Sequence, residues 1–262
     1  MEKKLSKLID LKKKNIISVV GSGGKTTFIY TLAKEIRTNN VMVSTTTKMF
    51  YPTKDEVDRF YLLNKDKNIE IQNGITFIGE ESHEKNKVGC SIDKIEKYSE
   101  YFDYVLLEGD GSKRKPLKGW NEKEPVIIDG TTKTIGIIPI NLIGDKISES
   151  NIHRIDIFKD LCKKEIGDEI TVDVLAEIIC NERGLFKNSK GEKILFLNKI
   201  ENSKNLEMAW SLLEKLMTKK ISLSKVLGGS LKEKIYYSFF NGGDGYISSN
   251  NGIRIKQKDG RK

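Results

Sequence analysis

The sequence has little of the chemistry that builds structural metal sites. Its 262 residues include three cysteines (Cys90, Cys162 and Cys180) and two histidines (His83 and His153). No C-x-x-C pair occurs, so these residues offer no ligand spacing for a structural zinc ion or an iron–sulfur cluster. We therefore expect the cysteines to be buried, unreactive thiols.

Long apolar runs are also missing. No run approaches the roughly 18 apolar residues that a membrane-spanning helix needs. The first residues, MEKKLSKLIDLKKKN, contain neither an apolar h-region nor a small-residue cleavage site. The sequence therefore predicts a cytoplasmic protein without a membrane partner.

Positive charge is scarce outside the two ends. The formal net charge is +9, and residues 1–14 and 254–262 carry +4 each. These two basic tails contain no aromatic residue that could stack on a base. Because solvated ends commonly concentrate like charges in this way, we predict that the protein has no nucleic-acid partner.

Short apolar runs alternate with amphipathic segments along the whole chain. This alternation predicts an α/β fold, with a mostly parallel sheet covered by helices on both faces. We predict one domain over residues 1–262, with an insertion at about 111–190. The predicted strands are 15–20, 40–47, 74–79, 103–108, 132–140, 192–199 and a last one at 220–226. The predicted helices follow residue 24, span about 151–164 and 171–183, and begin near Ser203 as an N-cap.

The stretch IISVVGSGGKTTFIYTLAKEI, residues 16–36, reads as a strand, a glycine-rich turn and a helix. The usual phosphate-binding loop is G-x-x-x-x-G-K-[ST], whereas this one is the shorter G-x-x-G-K-T. Its G-x-x-G-K-T-T form is similar to the loop of Mur-type ligases. The elements still follow in the correct order, which predicts a P-loop NTPase-like nucleotide site. The alternative is a glycine-rich turn with an incidental lysine.

Each residue of this loop has a predicted role. Lys25 would contact the β- and γ-phosphates of ATP or GTP, Thr26 would bind Mg²⁺, and Thr27 could contact the α-phosphate. Backbone N–H groups of the turn would surround the phosphates. The turn comprises Gly21, Ser22, Gly23 and Gly24.

Two carboxylates follow a buried-type strand in YVLLEGDGS. We predict Glu108 as the Mg²⁺ ligand, and Asp110 as a second ligand or a group that positions the attacking atom. The E-x-x-G form is similar to the Walker B region of metallochaperone GTPases. A strand that ends in a polar turn is the alternative.

Polar and basic residues after two strands are candidate substrate contacts. STTTKM places Thr46, Thr47 and Lys48 where parallel strands line a ligand crevice, although threonine also simply favours strands. The basic loop GSKRKPLK adds Lys113, Arg114 and Lys118. These cations could clamp an anionic substrate, complete charge neutralisation at the γ-phosphate, or form a solvated loop.

A candidate base pocket follows the strand in ILFLNKIE. Asn198, Lys199 and Glu201 resemble the N-K-x-D motif that reads guanine, with glutamate in place of aspartate. The loop is similar to that of ATP-using ligases and the Asn-Lys pair to that of GTPases, so both bases remain open.

Taken in order, the blocks GSGGKTT, TTTKM, EGDGSKRKPLK, EPVI, HR and FLNK resemble the YqeC family. This family is linked to selenium cofactor biosynthesis and is also called selenium-dependent hydroxylase accessory proteins. The resemblance spans about residues 15–230. Gly109 stands where the family has alanine, and Ile155 and Asp156 stand where it has proline and glutamate.

The resemblance implies an accessory role in maturing selenium-dependent molybdenum hydroxylases, with such an enzyme or its maturation factors as partner. It also points to His153 and Arg154 as site residues. Three functions stay open from the residues alone: an NTPase maturation factor, a phosphotransferase or ligase for a small molecule, and a non-catalytic nucleotide-binding partner protein.

Overall fold

The computed structural model describes residues 4–66, 68–219 and 221–241, and its centre is an 11-stranded sheet. Its strands, with a separate pair formed by β8 and β10, are β1 (Asn15–Gly21), β2 (Asn40–Thr45), β3 (Met49–Phe50), β4 (Arg59–Leu62), β5 (Gly74–Glu81), β6 (Lys87–Gly89), β7 (Tyr104–Glu108), β8 (Leu117–Lys118), β9 (Lys133–Pro139), β10 (Ile152–His153), β11 (Glu192–Asn198), β12 (Lys225–Ser230) and β13 (Ile235–Asn241). The helices are α1 (Leu5–Leu8), α2 (Lys25–Glu35), α3 (Ile92–Ser99), α4 (Ile155–Cys162), α5 (Val172–Cys180) and α6 (Ser203–Met217).

The strand order is β13-β12-β11-β9-β1-β7-β2-β5-β6-β3, with β4 on β5. All neighbours from β12 to β5 run parallel, whereas β13 and β6 pair antiparallel with their neighbours. The chain first moves from β1 to β2 on one side and later to β9 and β11 on the other. The carboxyl end of β1 therefore lies at a reversal of strand order, where α/β sheets place their ligands.

Alternate residues of the central strands build cores on opposite faces of the sheet. Ile17 and Val19 of β1 pack in one core with Phe28 of α2, while Val20 packs in another with Leu212 of α6. All five side chains are fully buried. This arrangement confirms the predicted α/β fold with a mostly parallel sheet and helices.

Three local predictions differ from the structure. The N-cap of α6 is Asn202, whose side chain accepts a hydrogen bond from the Asn205 N–H, so Ser203 is the first helical residue. The strand predicted at 220–226 is β12, which begins at Lys225, and it is followed by the antiparallel strand β13. The predicted insertion contains β9, which lies inside the main sheet.

The described part of the N-terminal tail is not simply solvated. Leu5 and Ile9 are fully buried beside α2, and Glu35 accepts hydrogen bonds from the Leu5 and Ser6 N–H groups at 2.9 and 2.8 Å. The predicted basic tail at 254–262 lies outside the described residues. Among the helices described, none is long and apolar enough to cross a membrane.

Candidate functional site

The glycine loop, residues 21–24, connects β1 to α2. Gly21, Gly23 and Gly24 all have positive φ, at 98°, 73° and 143°. Gly24 is the N-cap of α2 and has no side-chain cap, and the first turn of the helix contains no acidic residue. The unpaired N–H groups and the positive end of the helix dipole therefore favour an anion at this point.

Asn198 holds the glycine loop from the β11 side. Its amide donates to the Gly23 carbonyl at 2.7 Å and accepts from the Leu231 N–H at 3.2 Å. A Cβ at Gly24 would lie 2.4 Å from the Asn198 amide nitrogen, so the close approach needs glycine there. The structure thus gives Asn198 a supporting role that the Asn-Lys motif did not indicate.

Lys25 is buried among acceptors at the start of α2. Its ammonium donates to the Gly21 carbonyl at 2.8 Å and lies 3.2 Å from Asp110 and 4.0 Å from Glu108. Burial alone lowers the pKa of Lys25, but Asp110 and Glu108 more than offset that effect and raise it above the usual value. Lys25 is therefore fully charged at neutral pH.

Glu108 ends β7 directly opposite the first turn of α2. Its carboxylate accepts a hydrogen bond from the Thr26 hydroxyl at 2.7 Å. Burial raises the pKa of Glu108, and the nearby Lys25 counteracts this only in part. A bound cation would stabilise the ionised form. Thr26 and Glu108 thus place two oxygen ligands side by side.

Asp110 is buried next to the glycine loop and contacts several residues around it. It has no solvent exposure, and it accepts from the Gly21 N–H at 3.0 and 3.1 Å and from the Trp120 indole N–H at 2.8 Å. Lys25 and Lys118 both lie 3.2 Å from its carboxylate. This position makes Asp110 a residue that holds the loop and Lys25 in place.

An alternating chain of charges leads away from Asp110. Lys118 is fully buried, and its ammonium also contacts Glu124 at 2.7 Å. Glu124 in turn accepts two hydrogen bonds from the Arg154 guanidinium. Burial tends to raise the pKa of Glu124, but Arg154 and Lys118 lower it to about 2. These ion pairs link the glycine loop to Arg154, which is distant in the sequence.

A cleft of about 920 Å³ opens at the glycine loop. Most of the residues predicted from the sequence line it, namely Gly23, Gly24, Lys25, Thr26, Thr27, Thr46, Thr47, Lys48, Glu108, Lys113, Arg114, His153 and Arg154. The structure therefore brings together residues 23–27 of the predicted nucleotide site, both metal candidates and nearly all substrate candidates.

The other predicted residues do not line this cleft. Gly21, Asp110 and Lys118 are buried behind it, and the Ser22 hydroxyl is buried without a hydrogen-bond partner. Asn198, Lys199 and Glu201 lie at the end of β11, on the far side of β9 from β1. Glu201 accepts a hydrogen bond from the Ser230 hydroxyl at 3.2 Å. A nucleotide base near these three residues would lie outside the cleft.

A two-stranded sheet brings the distant His-Arg pair to the cleft. Strands β8 and β10 run parallel, with Lys118 opposite His153. His153 is largely buried, and burial together with Arg154, Lys118 and Lys113 lowers its pKa to about 4. His153 is therefore neutral at physiological pH.

Sequence reasoning missed several residues of the site. Trp120 donates a hydrogen bond to Asp110, and Glu124 pairs with Lys118. Phe50 and Tyr51 form part of the cleft wall. Glu124 lies in the quoted block EPVI, where an acid next to a cluster of basic residues was an available signal. Nothing in the local pattern around Phe50 marks it, because its role depends on contacts across the cleft.

The cysteines lie away from the cleft. Burial raises the pKa of Cys90 and Cys180 to about 11 and that of Cys162 to about 12, so all three thiols stay protonated at neutral pH. No group of three or more His, Cys, Asp or Glu side chains suited to a metal ion occurs in the described ranges.

The fold and the site together define a mixed α/β protein with a glycine-rich loop at the centre of its mostly parallel sheet. The family described as YqeC protein matches residues 17–156, more than half of the chain, and the chain belongs to the YqeC family. The Uncharacterized protein YqeC of Escherichia coli (strain K12) is 28% identical over 221 residues, which cover 80% of this chain and 86% of that protein. No solved structure matches the chain.

Proposed function

We propose that the chain is a P-loop NTPase that binds an Mg²⁺–nucleoside triphosphate at the glycine loop and hydrolyses its terminal phosphate bond. The observation that carries this proposal is the 2.7 Å contact between Thr26 and Glu108, directly beside the Lys25 ammonium. In P-loop NTPases a hydroxyl after the loop lysine and a carboxylate from a neighbouring strand serve the same Mg²⁺ ion.

The residues present fit Mg²⁺. This ion prefers oxygen ligands and is usually bound through one or two protein groups, substrate phosphates and several waters. The exposed Thr26 and the buried Glu108 supply two such oxygens at the first turn of α2. Bound Mg²⁺ would draw charge from the terminal phosphate and orient it.

We expect Lys25 to contact the phosphates when a nucleotide binds, in place of one of its two present acceptors. Its ammonium contacts the Gly21 carbonyl at 2.8 Å and Asp110 at 3.2 Å. A triphosphate carries much more negative charge than these groups, so we expect its oxygens to replace the Gly21 contact. Asp110 would keep Lys25 positioned and charged.

From the motif resemblance we further propose that this hydrolysis serves the maturation of selenium-dependent molybdenum hydroxylases in the cytoplasm. The partner would be such an enzyme or one of its maturation factors. A role of this kind needs no second substrate domain, and the main sheet of the described residues is one continuous structure from β13 to β3.

A second candidate function is transfer of a phosphoryl or nucleotidyl group to a small molecule, or ligation of one. The size of the cleft favours it, since about 920 Å³ is near the upper end of ordinary small-molecule sites. Turnover that depends on a small acceptor would select this function, and turnover that rises with a protein partner would select the first.

Glu108→Gln separates catalysis from binding. The amide keeps the shape and the Thr26 contact but weakens the metal ligand, so we expect nucleotide affinity to persist while phosphate release from Mg–ATP or Mg–GTP slows by at least about tenfold. Glu214→Gln, on the exposed face of α6, is the matched control. Unchanged phosphate release in Glu108→Gln would contradict the metal assignment. Tight binding without release, with or without partner or acceptor, would favour a non-catalytic protein.

A further inference from the structure

The basic loop after β7 divides its cations between two roles. The Lys115 ammonium donates to the backbone carbonyls of Glu149 and Ile152, and Lys118 is buried against Asp110 and Glu124. Lys115 therefore holds the basic loop against β10, and Lys118 holds it against Asp110 and Glu124. Lys113 and Arg114, by contrast, are exposed and line the cleft.

Lys113 and Arg114 are exposed cations of the cleft, and the described residues around them offer no compensating carboxylate. Among the described residues, neither has a carboxylate within 4 Å, whereas Lys48 and Lys87 share Glu84 and Arg154 is paired with Glu124. Unpaired cations inside a concave site concentrate positive potential there. The potential of this wall therefore favours a negatively charged ligand.

The backbone holds these two side chains in an unusual conformation. Lys113 and Arg114 are consecutive non-glycine residues with φ of 50° and 62°. Left-handed backbone of this kind is strained in non-glycine residues and is often found at ligand sites. A hydrogen bond from the Lys115 N–H to the Ser112 carbonyl at 2.9 Å closes the turn. The fold thus defines the backbone conformation from which both side chains project.

Phe50 fixes the Arg114 guanidinium. The guanidinium carbon lies 4.2 Å from the centre of the Phe50 ring, which is 46% exposed. Stacking on an aromatic face leaves the N–H edges of a guanidinium free for a planar anion. Phe50 is on β3, and β7, β2, β5 and β6 separate β3 from β1 in the sheet order. Arg114 is therefore held by a side chain from a different strand than the one that leads into the glycine loop.

We propose that Lys113 and Arg114 bind a second ligand, a small molecule that carries a phosphate or carboxylate group, beside the nucleotide. The inference rests on the proposed function, because a nucleotide at the glycine loop makes this anion the second ligand of the cleft. A small molecule fits because the two cations lie inside a concave cleft. Its volume of about 920 Å³ accommodates a triphosphate tail and a further small group.

The test uses phenyl phosphate and benzoate as probes, with benzyl alcohol as the neutral comparison. Binding is measured by ligand-observed NMR on the full chain, with and without saturating Mg²⁺ and a slowly hydrolysed nucleotide analogue. We expect at least one anionic probe to bind in the presence of the nucleotide, and its affinity to fall about tenfold or more in Arg114→Ala. Lys113→Ala should weaken binding in the same direction.

Arg183→Ala is the matched control, because Arg183 is exposed, pairs with Asp160 and lies outside the cleft. It should leave both probe binding and nucleotide affinity unchanged. The comparison of phenyl phosphate with benzoate shows which anionic group the site prefers.

The inference is overturned if neither anionic probe binds, or if the probe binds equally to the wild type and Arg114→Ala. A probe that the nucleotide displaces and that Lys25→Ala loses would be bound at the glycine loop, which also contradicts it. If no nucleotide binds, the proposed function fails. Arg114-dependent probe binding in the same samples then still decides whether the anion site exists.

Discussion

Lys25 shows how much a single side chain of this site depends on its surroundings. Its ammonium is nearly excluded from solvent, yet the two neighbouring carboxylates keep it charged. Loss of Asp110 or Glu108 would therefore change the charge state of Lys25 as well as its position. The predictions at the residue scale follow from this coupling.

Lys25→Ala should lower nucleotide affinity by about 100-fold or more, since one charge-assisted contact to phosphate contributes about 3 kcal/mol. Asp110 keeps Lys118, Trp120 and the Gly21 N–H as partners, so the variant should still fold. Titration calorimetry measures the effect, and Lys34→Ala on the exposed face of the same helix is the control. Wild-type nucleotide affinity in Lys25→Ala would contradict the assignment of the glycine loop as the nucleotide site.

His153 should make stability depend on pH in mildly acidic solution. Its pKa is lowered from 6.5 to about 4 in the folded chain, so between these values the unfolded chain binds more protons. The free energy of unfolding contributed by His153 is thus fully present above pH 6.5 and is lost as pH falls toward 4.

His153→Gln should remove this contribution and flatten the pH dependence over that window. Urea unfolding at several pH values measures it, with His83→Gln at an exposed position as the control. An equally steep loss of stability in both variants would contradict the burial of a neutral His153.

At the scale of single elements, the glycine loop is the most constrained part of the site. Gly24→Ala would place a Cβ 2.4 Å from the Asn198 amide nitrogen, in a backbone conformation with φ of 143°. We expect nucleotide binding to be lost and the protein to be destabilised by more than about 1 kcal/mol. Gly144→Ala is a useful control, because its φ is also positive, at 98°, but a Cβ there would meet nothing within 4 Å.

The two glycine variants separate the cost of a positive φ, which both positions share, from the cost of steric contact with Asn198, which only Gly24→Ala has. If Gly144→Ala and Gly24→Ala lose the same stability in urea unfolding and both retain nucleotide binding, the close approach of Asn198 to the loop has no functional importance.

Asp110, in the turn after β7, is the carboxylate that Lys25 and Lys118 share. Asp110→Ala leaves Lys25 and Lys118 buried near each other with one carboxylate fewer, so we expect a loss of about 3–5 kcal/mol. Trp120→Phe keeps the ring but removes the indole N–H donor, which should cost about 1 kcal/mol. Urea unfolding of both variants measures the difference. Asp110→Ala with wild-type stability would show that the chain of alternating charges is not structural.

The elements also show what could be predicted from sequence. Long, buried parallel strands such as β1, β9 and β11 are continuous apolar runs between polar turns, so their positions were predicted to within a few residues. The two-residue strands β3, β8 and β10 were missed, because pairing with distant segments and not local propensity creates them. The glycine loop, Glu108 and the basic loop came from motifs. Phe50 and Trp120 did not, because only tertiary contacts give them a role.

At the scale of the whole molecule, the strand order explains why these motifs meet. Strand β1 has β7 on one side and β9, followed by β11, on the other. The glycine loop at the end of β1 therefore lies between Glu108, at the end of β7, and Asn198, at the end of β11. The β8–β10 pair then brings His153 and Arg154 to the same cleft from the next part of the chain. Segments far apart in sequence thus contribute to one site.

The most direct test of the account is titration calorimetry of the wild type with ATP, GTP and slowly hydrolysed analogues, with and without Mg²⁺. The account predicts binding of at least one nucleotide that is tightened by Mg²⁺. Preference for GTP would support base recognition by Asn198 and Glu201, and preference for ATP would assign Asn198 to loop support alone. Binding of neither nucleotide would contradict the central claim that the glycine loop is a nucleotide site.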